Sequence, residues 1–93
     1  MAKYDLIDAL LVLQGRREAE AFLADLCTPG ELKALSERWT VAQLLDAGQF
    51  SYREIADKAP SSTATVVRVA RFLKTMPHKG YRRVLDRLGS VRR

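Results

Sequence analysis

The chain has 93 residues, 47% of them hydrophobic and 29% charged, with a net charge of +5, one cysteine and one histidine. Such a composition is globular, and such a length is one small domain. No apolar run approaches the roughly 20 residues that span a bilayer, and Asp5 and Asp8 beside the short apolar patch of residues 7–13 argue against an export signal. The single Cys27 excludes an internal disulfide and suits a reducing cytoplasm, and one His with one Cys is too few soft ligands for zinc.

Periodicity predicts six helices and no strands. The first covers about residues 3–13, with Leu6, Ile7, Leu10 and Leu13 on one stripe that Leu11 and Val12 widen, and ends at Gly15. Residues 16–26 form the second, with Ala19, Phe22, Leu23 and Leu26 inward. The third begins with Thr28 as cap, Pro29 at the first helical position and Glu31 closing a capping box. Leu32, Leu35, Trp39, Ala42 and Leu45 repeat along it, Val41 and Leu44 add a second stripe, and Gly48 stops it. Stripes this wide exceed what one small chain hides from water, so a second copy is expected to cover them.

Residues 51–74 read as two short helices around a tight turn. Ser51 and Glu54 form a capping box, Ile55 and Ala59 face inward, and Ala56 is small enough for a second helix to cross closely. Pro60 is expected to push Ala59 out of helical geometry, and Ser61 or Ser62 caps the next helix. There Val66, Val69, Ala70 and Leu73 form the inward stripe, leaving Thr63, Ala64, Val67, Arg68, Arg71 and Lys74 on the outer face. Helix-turn-helix proteins usually carry Gly, with positive φ, where Pro60 stands, so the turn is expected to follow another path. Pro77 and Gly80 then punctuate, a last helix over residues 78–88 places Tyr81, Val84, Leu85 and Leu88 on one stripe, and residues 90–93 are expected to fray.

Charge is distributed unevenly. Residues 1–50 hold five bases against eight acids, and residues 51–93 hold eleven bases against three acids. A basic half of this kind suits a long polyanion, whose released counterions drive binding. An anionic membrane fits less well, because no exposed Trp/Phe/Leu face backs the cations.

The segments Asp25-Leu26-Cys27-Thr28-Pro29, Leu35-Ser36-Glu37-Arg38, Leu44-Leu45…Gly48 and Ser62-Thr63-Ala64-Thr65…Arg68-Val69, in this order and spacing, resemble the Trp-repressor superfamily. With Gly80-Tyr81 and Leu85-Asp86-Arg87-Leu88 they are similar to its YerC/YecD-type branch, over about residues 20–88. The resemblance implies an all-α, six-helix Trp repressor-like fold, an intertwined homodimer with one helix-turn-helix per chain. One domain would occupy residues 1–93, with dimerisation helices over 1–50, the helix-turn-helix over 51–76 and a C-terminal helix over 78–88. It implies Thr63, Ala64 and Val67 at base edges, Arg53 reaching the groove from the preceding helix, Lys58, Arg71 and Lys74 at phosphates, and Ser62 and Arg68 within the same DNA-binding set.

The family's best-known member takes tryptophan as co-repressor. Thr28, Arg38, Thr65 and Arg68 match its pocket, but Val69 stands where that pocket has Gly and Phe72 where it has Ser. The pocket is therefore expected to be vestigial and filled, so control by tryptophan as a small-molecule co-repressor is not expected, nor is a cofactor or metal, and whether another effector binds stays open. The four matching residues also have structural uses: Thr28 as a cap, Thr65 within a helix, and the arginines as partners for Glu37 or Asp46. The expected partner is double-stranded DNA with an inverted-repeat site, and the expected activity is cytoplasmic transcriptional repression. The alternative is a helical adaptor docking an acidic protein through its basic half. An enzyme is not expected, since His78 has no carboxylate placed beside it by pattern and Cys27 ends an apolar stripe.

Overall fold

A computed structural model of the chain describes residues 3–92, with the side chains of 90–92 left aside. Among the described residues there are six helices and no strand: α1 (Leu6–Leu11), α2 (Arg16–Leu26), α3 (Pro29–Ala47), α4 (Tyr52–Lys58), α5 (Thr63–Lys74) and α6 (Gly80–Arg92). The expected all-α class and helix count hold.

Local capping chemistry sets most of the starts. Asp5 caps α1, its side chain accepting from the Asp8 N–H while the Asp8 carboxylate accepts from the Asp5 N–H. The same reciprocal pair forms at Thr28 and Glu31 (3.1 and 2.9 Å) and at Ser51 and Glu54 (3.2 and 3.0 Å). Ser62, rather than Ser61, caps α5 by accepting from the Thr65 N–H at 3.1 Å. The Ser61 hydroxyl is buried without a hydrogen-bond partner.

Several boundaries differ from expectation. Helix α1 is shorter than residues 3–13: Asp5 starts it and Val12 is its C-cap. Gly15 does not end α1 but is the N-cap of α2, at φ 91. Gly48, at φ 70, follows α3 as expected. At Gly15 and Gly48 a β-carbon would meet open space, so glycine is favoured there by conformation alone. Gly80 opens α6 instead of interrupting the chain, and the left-handed residue at that junction is Lys79, at φ 58. Helix α6 also runs on through residues 90–92, which were expected to fray; Arg93 lies outside the described residues.

The chain divides into two compact units, one up to Lys33 and one from Ala34. In the first, neither α1 nor α2 has a buried residue, and Leu6, Ile7, Leu10, Leu11, Val12 and Leu26 are all exposed, Leu11 at 78%. The second holds the core: Val41, Ala42 and Leu45 from α3, Ile55 and Ala56 from α4, Ala59 from the turn, and Val66, Val69 and Ala70 from α5. Trp39, Leu44, Phe50, Leu73 and Tyr81 pack against it, with Trp39 and Tyr81 stacked at 6.5 Å. The inward stripe read for α5 is thus the one that enters the core.

The α4–α5 turn takes the path that proline was expected to forbid. Ala59 caps α4 at φ −95 and ψ 17, out of helical geometry as expected, and Pro60 follows at φ 20. The Ser61 N–H reaches back to the Ala56 carbonyl at 2.8 Å. That is the six-to-one bond of a Schellman ending, with Pro60 in the position that glycine ordinarily fills. The companion bond from Pro60 cannot form, because proline has no N–H.

Candidate nucleic-acid interface

Because Val66, Val69 and Ala70 are drawn into the core, the other side of α5 is turned to solvent. Thr63, Ala64, Val67, Arg68, Arg71 and Lys74 are all exposed, as are Ser62 at the cap and Arg53 and Lys58 on α4. Val67 is 56% exposed, a branched apolar side chain lying open among cations. No acidic residue occupies the first turn of α5, and Arg71 and Lys74 lie in its last turn, where they complement the helix dipole. Ser62 has a structural duty as well, since its hydroxyl caps α5 and lies 3.0 Å from the Thr65 hydroxyl.

Three of these cations sit over aromatic rings. The Arg68 guanidinium carbon is 4.7 Å from the Phe72 ring centre, the Lys58 ammonium 4.7 Å from that of Phe50, and the Lys74 ammonium 5.9 Å from that of Tyr52. His78 stacks on Phe72 at 6.1 Å with the rings 13° apart. The sequence reading missed Phe50, Tyr52 and His78 as neighbours of this surface. Only Arg68 and Phe72, one helical turn apart, carried a local signal.

The acid in the first turn of α4, Glu54, serves as a cap. The Glu54 carboxylate is held below its ordinary range, chiefly by the Ser51 backbone N–H and then by the Ser51 hydroxyl. Glu31 is lowered in the same way by Thr28.

The residues matched to a ligand pocket are placed as follows. Thr28 belongs to the first unit, where it caps α3. In the second unit Arg38 and Thr65 are half-buried, Val69 is 1% exposed within the core, and Phe72 is half-buried beneath Arg68 and beside His78. Asp46, weighed as a partner for Arg38 or Arg68, instead binds Arg82, a contact that sequence spacing did not suggest. A hollow of about 150 Å³ lined by Gln43, Leu85, Leu88 and Gly89 shares no residue with this set. Among the described residues no three His, Cys, Asp or Glu side chains converge as a metal site would require, and no helix is long and apolar enough to cross a membrane.

The sequence model of the family described as Trp repressor protein matches residues 3–89. The uncharacterized protein YerC of Bacillus subtilis is 36% identical over 83 residues, covering 89% of this chain and 78% of YerC. Two solved structures each superpose with a TM-score of 0.83. One is a candidate Trp repressor from Staphylococcus aureus, 38% identical, with 90% of this chain and 82% of that one covered. The other is a TrpR-like protein from Eubacterium eligens, 43% identical, with 90% and 84% covered.

Proposed function

Because the chain belongs to the Trp repressor family, we propose that it is a sequence-specific DNA-binding regulator of transcription that represses by occupying its site. The observation that carries this reading is the outer face of α5, where exposed Thr63, Ala64 and Val67 lie among exposed Arg68, Arg71 and Lys74. A helix of this kind enters a major groove, where small and branched apolar side chains meet thymine methyl groups and arginine forks onto guanine. Thr63, Ala64 and Val67 then read base edges, Arg53 reaches the groove from α4, and Arg68 lies at its margin. Lys58, Arg71 and Lys74 neutralise phosphates, which fixes register without reading sequence. Ser62 holds the start of the reading helix.

The active form is a homodimer. The first unit leaves its apolar side chains in water, and a second copy of the same unit is the partner that hides them symmetrically. Two identical reading helices call for an inverted repeat with half-sites about 34–36 Å apart, the spacing general to helix-turn-helix dimers, the Trp repressor included.

Tryptophan does not switch this protein. Val69 lies in the core and Phe72 is packed between Arg68 and His78, so the two positions that depart from the family pocket are filled from within the fold. Calorimetric titration with millimolar L-tryptophan should give no saturable heat; binding that also tightens DNA affinity would overturn this part of the reading.

The experiment for the function is selection of bound sequences from random duplex DNA. An enriched inverted repeat is expected, and salt titration on the enriched duplex should show log-linear loss with a slope near −0.9 per phosphate contacted. No enrichment, together with salt-insensitive binding to an acidic protein, would favour an adaptor instead.

A further inference from the structure

The rings beneath Arg68, Lys58 and Lys74 have no role in the function just described. A solvated Arg or Lys side chain samples many rotamers, and fixing it on a phosphate or a base costs conformational entropy at the moment of binding. A ring beneath the charge restricts that freedom in the unbound protein. It does so without consuming the donors, because the attraction uses the ring face while the N–H groups of the guanidinium edge stay directed outward. The arrangement also links elements: Phe72 and Arg68 lie one turn apart on α5, His78 stacks on Phe72 from beyond the end of α5, and Tyr52 at the start of α4 lies beneath Lys74 at the end of α5.

We propose that Phe72, backed by His78, is a positioning residue that presets Arg68 for DNA, and that Tyr52 does the same for Lys74. Neither ring touches DNA; each acts through its cation. The inference rests on the DNA-binding reading above.

The test uses the full chain and two duplexes of about 30 base pairs, one enriched from a random pool by the wild-type protein and one of random sequence. Phe72→Leu and Tyr52→Leu remove the ring but keep apolar bulk, and thermal melting selects the variants that stay folded at the assay temperature. Tyr52 is 40% exposed, so its variant keeps the test open if Phe72→Leu does not fold. Each variant should lose roughly threefold to tenfold in affinity, the range for immobilising one long side chain. In an Arg68→Ala background, Phe72→Leu should cause no further loss, and Tyr52→Leu should likewise add nothing to Lys74→Ala. A purely structural role for the rings would give the same loss in both backgrounds and would overturn the proposal. Unchanged affinity in the folded variants, or tighter binding because the rings had sequestered the cations, would overturn it too. A wild-type protein that enriches no sequence and binds neither duplex would overturn the DNA-binding reading itself, and the positioning role with it.

Discussion

Arg82 lies 2.7 Å from Asp46, a residue thirty-six positions earlier, and also 2.7 Å from Asp86 one turn along its own helix. One guanidinium therefore ties the C-terminal end of α3 to α6, and its two carboxylate partners stabilise its charged form, Asp46 first. Arg82→Gln should lower the melting temperature, and Asp46→Asn should lower it by less in that background than in wild type. Both effects should shrink with added salt, since the pair is partly open to solvent. Additive losses at all salt concentrations would show that the two side chains do not act together.

The capping acids give the acid limb of the stability curve. The folded state holds Glu54 and Glu31 below their ordinary value of 4.5, so their contribution is fully present above that value. It is lost as pH falls through the folded value, where protonation breaks the bonds to Ser51 and Thr28. Urea melts at stepwise lower pH should show wild-type stability declining below pH 4.5, with a shallower decline in Glu54→Gln. Identical slopes for the two proteins would remove Glu54 from the acid response.

At the α4–α5 turn, Pro60→Gly should stabilise. Pro60 sits at φ 20, far from the −65° its ring favours, a strain on the order of 1–3 kcal/mol. Glycine accepts that conformation and restores an N–H, while its freer unfolded chain takes back about 0.8–2 kcal/mol, since the proline ring and the β-carbon are lost together. A net gain of about 1 kcal/mol is expected in urea melts. A loss would mean that the turn is better matched to proline than its backbone angle indicates.

On DNA, Val67 and Arg71 should behave differently. Arg71→Ala should weaken specific and random duplexes alike and flatten the salt slope by about 0.9. Val67→Gln should change the preferred base at one position per half-site, shifting discrimination there by about 1–3 kcal/mol while leaving the salt slope in place. Equal losses on both duplexes for both variants would take the base-reading role from Val67.

Self-association can be tested at Leu11, 78% exposed in the isolated chain. Sedimentation equilibrium at micromolar concentration should give twice the 10.5 kDa chain mass. Leu11→Glu should shift the balance towards monomer, by about 1.5–3 kcal/mol for each copy if the side chain is fully covered. A folded wild-type species at the monomer mass would end the dimer reading.

What could be read from the sequence was local. Ser51 with Glu54 and Thr28 with Glu31 are i, i+3 pairs whose partners are fixed by helix geometry, so spacing alone locates them. The inward stripe of α5 was legible for the same reason, and it determined which residues form the outer face before any tertiary contact was considered. Contacts between distant segments left no such mark: Arg82 with Asp46, Tyr52 with Lys74 and His78 with Phe72 depend on how helices are placed. Pro60 misled because its ring argues against positive φ, while closing α4 with the Ser61-to-Ala56 bond demands it. The length of α1 was overestimated because apolar residues run from Leu6 to Leu13 without a break in pattern, whereas the Asp5 cap and the Val12 C-cap set the helix ends.

Four of the nine core residues are alanines: Ala42, Ala56, Ala59 and Ala70. Where helices meet on methyl groups, every enlargement pushes a backbone, and with it the aim of α5, so these positions tolerate almost no drift. The outer face of α5 carries no such burden. Under the proposed DNA-binding reading, lineages of this protein can therefore acquire new operators by exchanging residues such as Thr63, Ala64 and Val67 while the interior stays fixed. Divergence in target and constancy of fold are then products of the same close packing.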